Sequence, residues 1–123
     1  MLINQSVGDA LSDMLLCLAS LEVLNMSMYD WNALYTDYPS SQMKVKVPDK
    51  SKVTCSEDET AVLTPIALQE DLNQAMQSVT KGRCFVRPSG TEDVVRIYAE
   101  AATTEEAALL AKLTKEAIER HLY

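Results

Sequence analysis

The stretch "FVRPSGTEDVVRIYAEA", residues 85–101, constrains this chain more than any other. On either side of PSGTED, apolar residues alternate with polar or charged ones, the period of a half-buried strand. A short connection containing Pro and Gly between two such strands predicts an antiparallel pair. One face of that pair has to be buried, so helices elsewhere in the chain must cover it.

If Arg87 ends the first strand and Val94 begins the second, residue 87 pairs with 94 and residue 85 with 96. Arg87 and Arg96 are then diagonal neighbours on one face. Neither guanidinium sheds its charge at neutral pH, so their convergence calls for something negative between them. Glu92, Asp93 and Glu100 are internal candidates, and a surface cluster of such pairs contributes roughly 0–1 kcal/mol per pair. The intervening PSGT points to an external anion instead. Ser89 and Thr91 bring hydroxyl donors, Gly90 leaves the backbone open to a ligand, and Pro88 stiffens the entry. Charge-assisted bonds are each worth roughly 1.5–3 kcal/mol, and two arginines offer the paired donors that phosphate accepts. A donor set fixed before binding also costs less entropy to engage. Arg87, Ser89, Gly90, Thr91 and Arg96 are therefore the candidate phosphate-binding residues.

Local capture is needed because the chain as a whole is acidic. It carries 18 acidic against 11 basic side chains, a formal net charge of -7. A general attraction to nucleic acid or to an anionic membrane is not expected. The longest apolar run, MLLCLA at residues 14–19, is too short to span a bilayer, and no secretory signal is visible. Cys17, Cys55 and Cys84 lie far apart without a CxxC pair, which fits reduced thiols and a cytoplasmic location.

Other chemistries lack parts. Three glycines, Gly8, Gly82 and Gly90, cannot build GxGxxG or a P-loop. The sole histidine, His121, sits near the C-terminus on a terminal helix, where a solvent-facing role is expected. Ser89 has no evident partner base, and neither a zinc ligand set nor an acid–base pair stands out. No catalytic residue, metal ligand or cofactor is expected within this chain.

The remaining segments supply the helices. Residues 6–25 read as a long N-terminal helix capped by Ser6 and answered by Asp9. Its apolar residues cover most of the circumference, so it calls for neighbours on several sides. In the connector that follows, Asp30 can cap a short helix whose Trp31, Leu34 and Tyr35 would anchor it to the core. QMKVKV alternates, with Met43, Val45 and Val47 inward; KVTC suggests a further short strand, and SEDET a solvated loop. A second long helix has Thr64 as cap, Pro65 at its first position and Gly82 beyond its end, with Leu68, Leu72, Ala75, Met76 and Val79 as its buried stripe. A Thr103–Glu106 capping box opens the terminal helix. The expected class is α+β: an antiparallel sheet of about four strands with helices on one face, preceded by the long helix. Residues 1–38 form a helical lead-in and connector, and residues 39–123 the phosphate-binding domain.

The wording of RPSGTED followed by VVR and YAEA closely resembles the C-terminal phosphate-binding loop of the α-D-phosphohexomutases. Within that superfamily it is similar to the phosphoacetylglucosamine mutases, as are LINQSVGDALSDML and ALYTDYPSSQMKVKV upstream. The resemblance implies a fourth, C-terminal domain of an enzyme interconverting N-acetylglucosamine 6-phosphate and 1-phosphate, on the route to UDP-N-acetylglucosamine. It implies that Arg87, Ser89, Gly90, Thr91 and Arg96 grip the phosphate that is not transferred. The family's serine-histidine-asparagine-proline loop and its DGDxDR magnesium loop do not occur in the sequence. The resemblance thus implies Mg2+ in the full-length enzyme, the remaining mutase domains as partners, and no catalysis by this chain alone. A stand-alone phospho-ligand module and a protein-interaction domain with self-neutralised arginines are the alternatives.

Overall fold

The computed structural model describes residues 8–123, which divide into two units, one ending at Asp37 and one over Tyr38–Tyr123. The first holds helices α1 (Ala10–Val23) and α2 (Met28–Asn32). The expected Ser6 cap lies outside the described residues. Asp9 is the N-cap of α1, its carboxylate accepting from the backbone N–H of Leu11 and Ser12. Ser27, not Asp30, caps α2; Asp30 stands three residues inside and accepts the Ser27 N–H in return, closing a complete capping box.

Neither helix buries a residue. Trp31 and Leu34 line an apolar concavity with Leu16, Cys17, Leu21 and Leu24. Leu34 and Tyr35 nevertheless remain exposed, and Trp31 is 40% exposed. The expected anchoring of these three in a core is therefore not made. Two short helices contain too little chain to enclose a side chain of that size.

The second unit runs β1 (Ser40–Lys46), a 3-10 turn at Lys50–Lys52, β2 (Thr54–Cys55), β3 (Val62–Thr64), α3 (Ile66–Gln77), β4 (Arg83–Pro88), β5 (Val94–Glu100) and α4 (Thr104–Leu122). The α+β class is as expected. The strands divide into an antiparallel sheet ordered β1-β5-β4 and a two-stranded β2-β3 sheet. At three residues, β3 is too short to show an alternation in sequence.

The main sheet has one packed and one open face. Val45 and Val95 form one row of the packed face, Met43, Ile97 and Val86 the next, and Ala99 and Cys84 a third. Leu68, Leu72 and Ala75 from α3 close over it together with Leu110, Ala111, Ile118 and Leu122 from α4. Each fully buried Leu or Ile contributes roughly 1.5–3 kcal/mol, so this layer fixes the sheet that carries the arginines. Met43, Val45 and Val47 face inward as their alternation requires.

Helix ends differ from expectation in detail. Pro65 is the N-cap of α3, one residue later than the sequence suggests, and makes no side-chain capping bond. Past the other end, Lys81 takes the left-handed conformation at φ 53 while Gly82 provides clearance. A Cβ there would lie 2.5 Å from the Met76 carbonyl oxygen and 2.4 Å from Val79 Cγ2. Thr103 accepts from the Glu106 N–H as its capping role requires, but Glu106 does not reciprocate. Its carboxylate accepts instead from the Thr80 N–H and hydroxyl, tying the start of α4 to the α3–β4 turn.

At the other end of α4, Asp71 of α3 receives Arg120 at 2.7 Å and lies 2.9 Å from His121 Nε2. His121 is half-buried in this interhelical bridge rather than facing solvent. Its hydrogen bond, with a further contribution from the Arg120 charge, holds the Asp71 carboxyl below the usual range. The three cysteines are free thiols, and no helix among the described residues is long and apolar enough to cross a membrane.

Candidate functional site

Across β4 and β5, Phe85 pairs with Tyr98, Arg87 with Arg96 and Pro88 with Val95. The expected register, 87 with 94, is two residues off because Pro88 does not end the strand. β4 is an edge strand, where proline is tolerated. The Ser89 N–H donates to the Val94 carbonyl at 2.9 Å. By the alternation of an antiparallel ladder, the missing Pro88 donor then points to the free edge. Arg87 and Arg96 are consequently direct cross-strand neighbours rather than diagonal ones, with Cβ atoms about 4.5–5.5 Å apart in such pairs.

The third strand extends the row. Lys44 of β1 stands opposite Arg96, so Lys44, Arg96 and Arg87 run side by side across the open face. Beside them lies a second row of Gln42, Tyr98 and Phe85, whose two rings stack with centroids 4.8 Å apart at 14°. Gln42, Phe85, Arg87, Arg96, Ile97 and Tyr98 enclose a concavity of about 150 Å³. The third row holds Glu100, which accepts from the Tyr98 hydroxyl at 2.7 Å and pairs with Arg83 at 3.5 Å. That hydrogen bond to Glu100, assisted by burial, pushes the Tyr98 hydroxyl up.

The carboxylates are shared differently from expectation. Glu92 Oε2 lies 2.9 Å from Lys44 Nζ and 3.9 Å from Arg96 Nη2. The Lys44 hydrogen bond and charge hold the Glu92 carboxyl below its ordinary value. Asp93 lies 3.8 Å from Lys50, and Glu100 belongs to Arg83. Among the three expected partners, only Glu92 reaches Arg96. Arg87 is engaged by a residue that sequence reasoning missed: Glu59, on the β2–β3 turn, with Oε2 2.6 Å from Arg87 Nη1. A separation of 28 residues leaves no local spacing from which to read that contact. Three cations and two carboxylates leave the row with a positive excess, and its two arginines remain 46% and 43% exposed at the side chain.

The loop adds an unusual hydroxyl. Ser89 is 4% exposed, and its Oγ has no hydrogen-bond partner. Most buried polar groups are satisfied, and this orphan lies two residues beyond one of the two opposed arginines. Thr91 is exposed. Gly90 is exposed too, has no positive φ, and a Cβ there would meet nothing within 4 Å. The turn itself therefore does not need glycine at 90; what Gly90 provides is open space outside the loop. The structure thus sets Arg87 and Arg96 side by side on one face, with Ser89, Gly90 and Thr91 in the loop that joins their strands. Among the described residues, no three His, Cys, Asp or Glu side chains gather to hold a metal.

Residues 43–117 match the family described as phosphoglucomutase/phosphomannomutase, C-terminal domain. The chain belongs to that family. This phosphohexomutase domain is 51% identical over 121 residues to phosphoacetylglucosamine mutase from Oryza sativa subsp. japonica, and 48% identical to the Arabidopsis thaliana enzyme. Each match covers 98% of this chain and 22% of the relative. A solved Aspergillus fumigatus N-acetylphosphoglucosamine mutase, in complex with GlcNAc-6P and magnesium, is 42% identical with a TM-score of 0.90, covering 99% of this chain and 23% of that one. The chain therefore spans about a fifth of the length of the relatives it matches. Both the strands that bear the arginines and the loop between them fall inside the matched region.

Proposed function

We propose that this chain is the substrate-phosphate-binding domain of a phosphoacetylglucosamine mutase, holding the phosphate of N-acetylglucosamine 6-phosphate or 1-phosphate on the route to UDP-N-acetylglucosamine. One observation carries the reading: Arg87 and Arg96 stand opposite one another at the mouth of a loop whose buried Ser89 hydroxyl lacks a partner. The relatives' names and the GlcNAc-6P complex of the fungal enzyme support the choice of sugar.

In this reading the arginine forks donate to two phosphate oxygens, while the Ser89 and Thr91 hydroxyls and the backbone N–H groups around Gly90 donate to the others. The contribution to catalysis is positioning, because phosphoryl transfer depends chiefly on alignment and electrostatic stabilisation. Magnesium, present with the fungal enzyme, is assigned in this reading to the remaining domains of the full-length enzyme. The partners are the phosphosugar and the remaining mutase domains, in the cytoplasm. Alone, the chain binds phosphosugar weakly and catalyses no interconversion.

Titrating the 15N-labelled chain with N-acetylglucosamine 6-phosphate tests the assignment. Saturable shifts are expected at Arg87, Ser89, Gly90, Thr91 and Arg96, and at least tenfold weaker binding in Arg96→Ala. The competing reading, an interaction domain whose arginines are neutralised internally, draws on the Glu59 and Glu92 contacts. Shifts in this loop that ignore the phosphosugar would favour it.

A further inference from the structure

Among the described residues, Glu59 is the carboxylate that reaches Arg87, and it does so at 2.6 Å from outside the β4–β5 loop. Its turn stands without that contact. Asp58 accepts from the Ser56 hydroxyl at 2.6 Å and from the Thr60 hydroxyl at 2.9 Å, while the Glu59 N–H donates to the Ser56 carbonyl at 2.9 Å. The Ser56 N–H and Ala61 carbonyl close the base of the turn. Glu59 itself occupies a left-handed position, φ 57, which glycine or asparagine adopts at lower cost. Its side chain makes no contribution to the internal latch of the turn.

We propose that Glu59 is a displaceable counter-ion: it neutralises Arg87 while the site is empty, swings away when a phosphate arrives, and so tunes the affinity of the site downward. This rests on the phosphate-binding reading of Arg87 and Arg96. A phosphate bonded to the same guanidinium would bring its charge to within several ångströms of the Glu59 carboxylate, so the two compete for one donor group. Both members of the existing pair are about half exposed, which keeps the pair weak and easily exchanged. Because Asp58 holds the turn together, Glu59 can leave without unfolding it. Phosphate occupancy is thereby coupled to the position of the Glu59 side chain on the β2–β3 turn.

The direction of the effect separates this role from simple support of Arg87. Titration with inorganic phosphate, followed by 15N NMR on the wild-type chain and Glu59→Gln, is expected to show roughly three- to fivefold tighter binding in the variant. In the wild type, the amides of Glu59 and Thr60 should shift with the same midpoint as Arg87. Equal or weaker phosphate binding in Glu59→Gln, with saturable shifts at Arg87 and Arg96 in both proteins, overturns the counter-ion role and leaves the phosphate site intact. Absence of phosphate-dependent shifts in both proteins removes the phosphate site and this role together.

Discussion

The two faces of the three-stranded sheet share a backbone and differ in almost everything else. On one, Val95, Ile97 and Ala99 alternate into a layer sealed by α3 and α4; on the other, Arg96, Tyr98 and Glu100 project from the same strand away from both of those helices. Burial makes the first face a matter of stability. The second is left to electrostatics: it carries three cations in one row, a ring stack in the next and an acidic residue in the third. The pleat thus separates what holds the domain together from what it can bind, residue by residue.

Substitutions at adjacent positions of β5 offer the sharpest way to break that contrast. Ile97→Ala should cost about 2–5 kcal/mol in denaturant unfolding, because it empties a buried site between sheet and helices. Tyr98→Ala, one residue on, should cost about 1–2 kcal/mol through loss of the Phe85 stack and the bond to Glu100. A larger loss for Tyr98→Ala than for Ile97→Ala would mean that the open face carries the fold.

The interhelical bridge behind the packed face supplies a smaller, pH-dependent effect. Asp71 has a depressed carboxyl, so its contribution is present above the unfolded carboxylate value of about 4 and is lost as pH falls through the lower folded value. Acid unfolding of Asp71→Asn should therefore be shallower than that of the wild type in this range, by less than about 1 kcal/mol. Identical acid profiles would show that the bridge is slack in solution. The smallest effect on stability belongs to Arg96→Ala, expected within about 0.5 kcal/mol although the proposed phosphosugar binding should weaken at least tenfold. Thermal melts should superimpose; a marked drop would assign Arg96 to the scaffold rather than to the site.

The packed face was legible in sequence because burial imposes a period. Alternation in QMKVKV and VVRIYAEA, and helical spacing in Leu68, Leu72 and Ala75, identified inward residues correctly. The arginine row was legible in kind but not in register. Placing the strand end at Arg87 assumed that proline stops a strand, whereas an edge position lets Pro88 remain paired with Val95. Lys44 could not be added to the row without knowing that β1 lies beside β5. Glu59 was invisible for a similar reason: a carboxylate in an acidic turn carries no mark of the distant guanidinium it meets. In the first unit, apolar residues around α1 suggested enclosure, yet two short helices offer none among the described residues.

The rim of β4 has one more consequence. Pro88 presents no donor along it, and the Cys55 thiol donates to the Val86 carbonyl at 3.2 Å, occupying an acceptor that would otherwise face outward. An incoming strand from another molecule finds a reduced hydrogen-bonding template there, so cross-β self-association through this side is discouraged.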